Sequence, residues 1–455
     1  MFLQRFFRAM MTGLVVLAWA VPLSVPRTMQ GAEPGSGQDY KPPIIAETAA
    51  ADCNADEPII NGERGDNDFV RNDSVDQLFD PMFTAFIREH QIPGCSVALA
   101  DRGRMIYTRS FGMADTEKKQ PVTESSLFRI ASISKPITAV AILQLAEQEK
   151  LSLDDKVFSI LKIKPHLVAG VEFDSRQEQI TIRQLLQHRG GWDRDKSFDP
   201  MFQSVRFADS LGLPPPAKPQ DIIRCMLGMP LDFPPGNGFA YSNYGYCLLG
   251  RVIETRSGES YEDYVKQRVL TPLGIRSMRL GHSKRDERAE NEVRYYDPGR
   301  DAAVFAKGRG KMVSLPYGAF YLEAMDAHGG WLATAMDLVR FANAFEDVEH
   351  SPLLTADSIR QMFARPSEEL GSGSPEKPPE TWYGLGWSVR SVAKAQRVTS
   401  WHTGSLPGTS SILIRRYDGL NVAVLFNTRV SPSKTPLIPA LEPPLHRAMD
   451  QVIRW

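Results

Sequence analysis

The stretch from Ile137 to Ala146 is apolar almost all the way round, interrupted only by Thr138 and Gln144. A helix with one apolar stripe can lie on a surface, whereas one that is hydrophobic on every side must be enclosed. The chain therefore needs a core large enough to surround a helix. Its 455 residues, 42% of them hydrophobic, allow one large domain or two closely joined ones. Pro136 has no amide hydrogen and is tolerated only near a helix start, so the first turn is expected close to Ser132. That sets a hydroxyl at the positive end of a rigid, buried helix. Residues three apart share a helical face, so the Lys135 amine is expected beside the Ser132 hydroxyl, where a desolvated amine can accept its proton.

Ser-x-x-Lys also begins at Ser159, Ser374, Ser391 and Ser431. Ser374 and Ser431 are each followed by proline in polar surroundings where no buried helix can follow. Ser391 follows a strand-like run, and Ser159 lies in a short segment ending at Pro165. Only Ser132 opens a long apolar helix. The plainer alternative for such a pair is a capping serine and a solvated lysine.

The formal net charge of -1 provides no global basic field, which argues against nucleic acid or an anionic membrane as partner. Arg5 and Arg8 precede an apolar run from Ala9 to Val21 ending in Ala18-Trp19-Ala20. This is the layout of a secretory signal over residues 1–32, with cleavage after Ala20 or Ala32. The mature protein is therefore expected outside the cytoplasm, periplasmic or secreted, or held by an uncleaved N-terminal anchor. Residues 33–74, rich in Gly, Pro, Asp and Glu, read as a disordered linker before a folded domain over 75–455. Export would permit disulfides among Cys53, Cys95, Cys225 and Cys247, with three possible pairings. Cys95 and Cys247 lie in strand-like and helix-like apolar runs and read more simply as buried free thiols.

Val75 to His90 has helical apolar spacing, and Cys95–Ala100 and Met105–Phe111 form a hairpin about Asp101-Arg-Gly-Arg104. Capping boxes stand at Thr181/Gln184 and Thr334/Asp337, and a helix is expected from near Ser242. Phe207–Gln220, with four prolines, reads as a stiff surface connection. The charged excursion 283–311 is expected to rim the site or cover a face. Pro366–Pro379 reads as a polar loop. Tyr383–Val389, Ser410–Arg416 and Asn421–Thr428 read as an antiparallel meander with one apolar face. Strands at both ends of the chain around a helical middle predict an α+β protein. Its antiparallel sheet is flanked by helices and joined to a mostly helical lobe, with the site between them.

Three motifs stand in order: Ser132-Ile-Ser-Lys135, Tyr241-Ser-Asn243 and His402-Thr-Gly404. The second and third each occur once. Together they resemble the serine beta-lactamase and penicillin-binding family, in the branch of class C beta-lactamases, D-alanyl-D-alanine carboxypeptidases and related esterases. The similarity spans about residues 75 to 430, including Leu185-Leu-Gln-His188, the Pro-Pro-Gly before Tyr241 and Gly329-Gly330. It implies the α/β sandwich of the beta-lactamase/transpeptidase type and acyl transfer without a cofactor or metal. Ser132 would attack a carbonyl, with Lys135 or Tyr241 taking its proton. Tyr241 would pass the proton to the leaving group, and Asn243 would orient Lys135 and the substrate. His402, Thr403 and Gly404 would form an edge strand, with Gly404 letting the substrate backbone come close and the Ser405 and Ser132 amides forming an oxyanion hole.

Many relatives carry lysine where this chain has His402. A histidine charged only in part near neutrality would hold a substrate carboxylate less firmly, and less again as pH rises through about 6.5. The resemblance thus implies a small-molecule or peptide substrate, cell-wall-derived peptides among them, and favours a peptidase or esterase over an efficient beta-lactamase. The competing reading is a catalytically idle relative acting as a binding or assembly protein. A metallohydrolase lacks support, since the eight histidines contain no His-x-His or His-Glu-x-x-His cluster.

Overall fold

The computed structural model describes residues 70, 72–366, 380–392 and 397–452. The expected export signal, nearly all of the 33–74 linker, Cys53 and the loop beyond Pro366 lie outside the described residues. Eight strands form the main sheet: β1 (Gly94–Asp101), β2 (Arg104–Asp115), β3 (Gln120–Pro121), β4 (Thr381–Tyr383), β5 (Ser388–Val392), β6 (Arg397–Leu406), β7 (Thr409–Arg415) and β8 (Leu420–Phe426). Their spatial order is β3-β2-β1-β8-β7-β6-β5-β4, antiparallel throughout. The two ends of the domain meet where β1 pairs with β8, Val97 opposite Val424.

Successive side chains on a strand face opposite ways, and here both faces are covered. Val97, Leu99, Ile412, Ile414, Val422 and Val424 join one hydrophobic cluster, while Ala98, Ala100, Leu413, Ala423 and Leu425 join the other. Every residue of β7 and β8 is buried, so the expected meander with a single apolar face is corrected to a sheet enclosed on both sides. The first face is closed by the helix Asp73–Glu89, through Phe79, Phe83 and Phe86, and by the helix Leu437–Met449, through Leu437, Leu441 and Leu445. The first helix starts at Asp73, with the Asn72 side chain accepting from the Ser74 amide, two residues before the expected boundary. The second carries Pro443 and Pro444 in its interior, and the apolar contacts of Leu437, Leu441 and Leu445 hold it against the sheet despite them.

The opposite face carries the apolar helix, Ser134–Glu147, in which every residue from Ser134 to Leu145 is buried. Helices Ala335–Asn343 and Asn243–Ser257 contribute to the same core. Both expected capping boxes form. The proline-rich stretch is more ordered than expected. Ser204–Ser210 is a helix that buries Phe207 and Ala208, and Pro219 opens another, Pro219–Leu227, at the position where its missing amide hydrogen costs nothing. Cys95, Cys225 and Cys247 are buried free thiols.

The charged excursion braces the chain just before Ser132. The fully buried Arg129 donates to the Pro316 and His282 carbonyls at 2.7 and 2.8 Å, lies 3.6 Å from Glu292 and stacks 4.3 Å from the Tyr295 ring centre. Arg129 belongs to a short strand, Phe128–Arg129, paired with Trp331–Ala333. The approach to Ser132 is thus held by backbone pairing and by a buried, partnered cation.

Candidate active site

Ala131 takes φ 48, a left-handed conformation uncommon away from glycine, and turns the chain from the Phe128–Arg129 strand into the short turn Ala131–Ile133. Ala131 and Ile133 are buried while Ser132 is part-exposed, so this turn offers one hydroxyl at the head of the buried helix. The Lys135 amine is wholly buried. It lies 3.1 Å from Ser132 Oγ, 2.8 Å from Asn243 Oδ1 and 3.0 Å from the His328 carbonyl oxygen. Burial drives this amine well below the ordinary lysine value, Asp199 pulling it partly back and Arg194 pushing it further down.

Asn243 opens the helix Asn243–Ser257 but does not cap it. Ser242 is the cap, its Oγ accepting from the Gly245 amide at 3.2 Å. Asn243 is free to face inward, and its Nδ2 donates to Asp199 Oδ2 at 2.6 Å, which fixes the amide with Oδ1 toward Lys135. Burial raises the Tyr241 phenol above the ordinary tyrosine value, with the nearby Ser132 hydroxyl and the Arg194 charge opposing. The Tyr241 ring centre is 4.7 Å from Lys135 Nζ and 4.8 Å from Arg194 Cζ.

Strand β5 pairs with β6 only from Arg397 to Trp401, so His402–Leu406 is an open edge. Within it His402, Gly404 and Leu406 are buried and Thr403 and Ser405 exposed. A Cβ on Gly404 would lie 2.2 Å from both the Ile130 carbonyl oxygen and Ser411 Oγ. The need for glycine therefore comes from the chain leading into Ser132, which packs against this strand, and not only from an approaching substrate. His402 Nδ1 donates to the Thr403 carbonyl at 2.8 Å, and Nε2 accepts from the Tyr383 hydroxyl at 2.9 Å. Burial and then Lys135 push this imidazole down to about 3. The expectation of a partly charged His402 titrating near 6.5 is thereby corrected: the ring is enclosed, both nitrogens are engaged, and it is neutral at physiological pH.

The motif residues thus converge at one place, from three separate parts of the chain. Residues 77–441 match the family model described as beta-lactamase. The chain belongs to the beta-lactamase family. Among its relatives, it is 30% identical over 344 residues to penicillin-binding protein 4* of Bacillus subtilis (strain 168), covering 74% of this chain and 68% of that protein. It is 28% identical over 390 residues to esterase EstB of Burkholderia gladioli, covering 81% and 94%. The octameric penicillin-binding protein homologue from Pyrococcus abyssi superposes with a TM-score of 0.58 at 25% identity, over 80% of this chain and 76% of that one. The D-amino acid amidase from Ochrobactrum anthropi SV3 shares the fold, with a TM-score of 0.61 at 23% identity over 83% and 97%. The fold is that of the beta-lactamase/transpeptidase type, and this beta-lactamase-family chain is a serine hydrolase.

Within this beta-lactamase-family site, several residues were not anticipated from sequence. Asp199 holds Asn243, and its only sequence signal was Asp199-Pro200, a helix-start pair that caps Met201. Tyr383 holds His402, and nothing in its strand-like surroundings marked it. The Tyr246 hydroxyl donates to the Leu186 carbonyl at 2.8 Å. His188 accepts from the Ser242 amide at 3.1 Å and packs against Tyr241, with 4.2 Å between ring centres. One group among the described residues brings potential metal ligands together, His282, Glu287 and Glu323. It contains none of the motif residues, and Ser283 and Lys284 already bind its two carboxylates.

Burial lowers His188, His328 and His402 together. Their folded pKa values lie below the unfolded value of about 6.5, so between those limits only the unfolded chain takes up the three protons. Stability therefore falls as pH falls through this window. The loss is expected to be largest just below the unfolded pKa, between pH 6 and pH 5, where the unfolded chain takes up these protons and the folded chain does not. Denaturant midpoints at the two pH values check this: a clear drop is expected, and an unchanged midpoint contradicts it.

Proposed function

We propose that this hydrolase works through an acyl-enzyme on Ser132, with Lys135 as the base. The observation that carries the reading is the set of partners around Lys135 Nζ. A neutral amine has two hydrogens and one lone pair. The Asn243 and His328 oxygens can only accept, at 2.8 and 3.0 Å, so they take the two hydrogens and leave the lone pair for the Ser132 hydroxyl at 3.1 Å. Ser132 Oγ attacks the substrate carbonyl as its proton passes to Lys135. Tyr241, whose phenol burial keeps protonated, acts as acid toward the leaving group and then takes a proton from the water that releases the acyl group. The Ser132 and Ser405 amides stabilise the oxyanion, and the open His402–Leu406 edge receives the substrate backbone.

The favoured substrates are esters and amides, peptides included, ahead of lactams. Esterase EstB is a relative matched over nearly its full length, which supports the ester reading. Phe239, 50% exposed and 5.9 Å from both the His188 and Tyr383 ring centres, offers an apolar surface beside the site for an acyl group. The test is a panel of a short-chain p-nitrophenyl ester, a D-Ala-D-Ala peptide and a chromogenic cephalosporin. Turnover of the ester or the peptide with slow cephalosporin hydrolysis is expected. Efficient cephalosporin turnover would move the substrate to lactams, and inertness toward all three would leave a binding protein.

A further inference from the structure

The neutral His402 leaves the motif strand without the positive charge that a lysine would supply there. Lys135 is buried and held by three oxygens. The charged groups acting on Tyr241 are Arg194 and Asp199, and Asp199 is occupied by the Asn243 amide and the Met201 backbone. Arg194 is different. Its side chain is 42% exposed, and its one ion pair among the described residues is a 4.0 Å contact with Asp195, itself 92% exposed. Such a contact contributes almost nothing and leaves the guanidinium available.

Arg194 is also presented by a built turn. Asp232 accepts from the Asp193 amide at 2.8 Å and from Ser197 Oγ at 3.1 Å, while Lys196 Nζ donates to the Asp232 carbonyl at 3.0 Å. On the inner side Trp192 is buried edge-on against Tyr244, 4.7 Å between ring centres. The turn sets the guanidinium 4.8 Å from the Tyr241 ring centre, within cation–π range, and a guanidinium carries five N–H donors with which to meet a carboxylate there.

We propose that Arg194 is a specificity-determining residue that binds a carboxylate on the substrate, so that anionic esters or amides are preferred over neutral ones of the same shape. The proposal rests on the reading of Ser132 as nucleophile, since it concerns what is brought to that hydroxyl. Two matched pairs test it: p-nitrophenyl butyrate against mono-p-nitrophenyl succinate, with the charge on the acyl side, and phenyl acetate against 4-acetoxybenzoate, with the charge on the leaving group. The readout is the ratio of kcat/KM for the anionic to the neutral member. In Arg194→Gln this ratio is expected to fall tenfold or more in at least one pair, with partial recovery in Arg194→Lys.

A ratio unchanged within twofold in both pairs overturns the proposal. So does an equal loss on both members, which would make Arg194 a partner of Tyr241 alone. A second arm separates this from the chemistry. Binding of phenylacetate and of phenylacetamide to the Ser132→Ala protein is followed by NMR, with and without Arg194→Gln. An Arg194-dependent preference for phenylacetate, in a protein whose wild type turns over no ester, keeps the anion site and removes the acyl-enzyme reading. Ester turnover by wild type with no such preference removes the anion site alone.

Discussion

Replacing Ser132 with alanine is expected to lower ester turnover by about ten thousandfold or more, because no other group can take over the attack. Ser134 is the nearest hydroxyl in sequence, but it is fully buried and its Oγ donates to the Ala131 carbonyl at 2.7 Å. Thr403 and Ser405 are exposed, and neither is among the hydrogen-bond partners of Lys135, which are Ser132, Asn243 and His328. The substitution removes one part-exposed oxygen and leaves the packing of Ala131 and Ile133 untouched, so the fold should survive. The checking measurement is kcat/KM on a short-chain p-nitrophenyl ester, with circular dichroism showing an unchanged fold. Activity within tenfold of wild type would place the nucleophile elsewhere.

Replacing Lys135 with alanine is expected to cost a hundredfold or more in kcat, since the proton acceptor for the attack is lost. Arginine should not rescue it. The amine sits in a fully buried site sized for one nitrogen among three oxygens, and a guanidinium is larger and permanently charged. The same geometry fixes a pH dependence. Activity requires the neutral amine, so it falls as pH falls through the Lys135 pKa, and burial has moved that pKa well below the ordinary lysine value. The enzyme is therefore expected to work at neutral pH, where an unshifted lysine would be almost entirely protonated. Steady-state profiles from pH 5 to 10 check both points. A loss confined to KM in Lys135→Ala would assign the residue to binding.

The features legible in the sequence share a property: each is signalled locally. A proline one residue after a lysine, ahead of an unbroken apolar run, marks the helix Ser134–Glu147 and the turn before it. Thr181 with Gln184 and Thr334 with Asp337 mark their helices because a capping box lies within four residues. What stayed hidden depends on contacts between distant segments. The neutrality of His402 follows from Tyr383 and from burial beside Lys135, none of it adjacent in sequence. Asp199 reaches Asn243 across 44 positions and Arg194 reaches Tyr241 across a comparable gap. The second covered face of the sheet stayed hidden because its cover comes from two segments more than 340 positions apart, Asp73–Glu89 and Leu437–Met449, and the helical spacing at Val75–His90 does not say which face it packs on.

The claim on which everything else stands is that Ser132 is a nucleophile made reactive by a neutral Lys135. The most direct measurement is the rate and position of labelling by a fluorophosphonate probe, read by intact-mass spectrometry and peptide mapping, in wild type and in Lys135→Ala. One adduct per chain is expected, on Ser132, forming at least about a hundredfold more slowly in the variant. An adduct on another serine such as Ser391 or Ser405, or labelling of Ser132 at the same rate without Lys135, would contradict it.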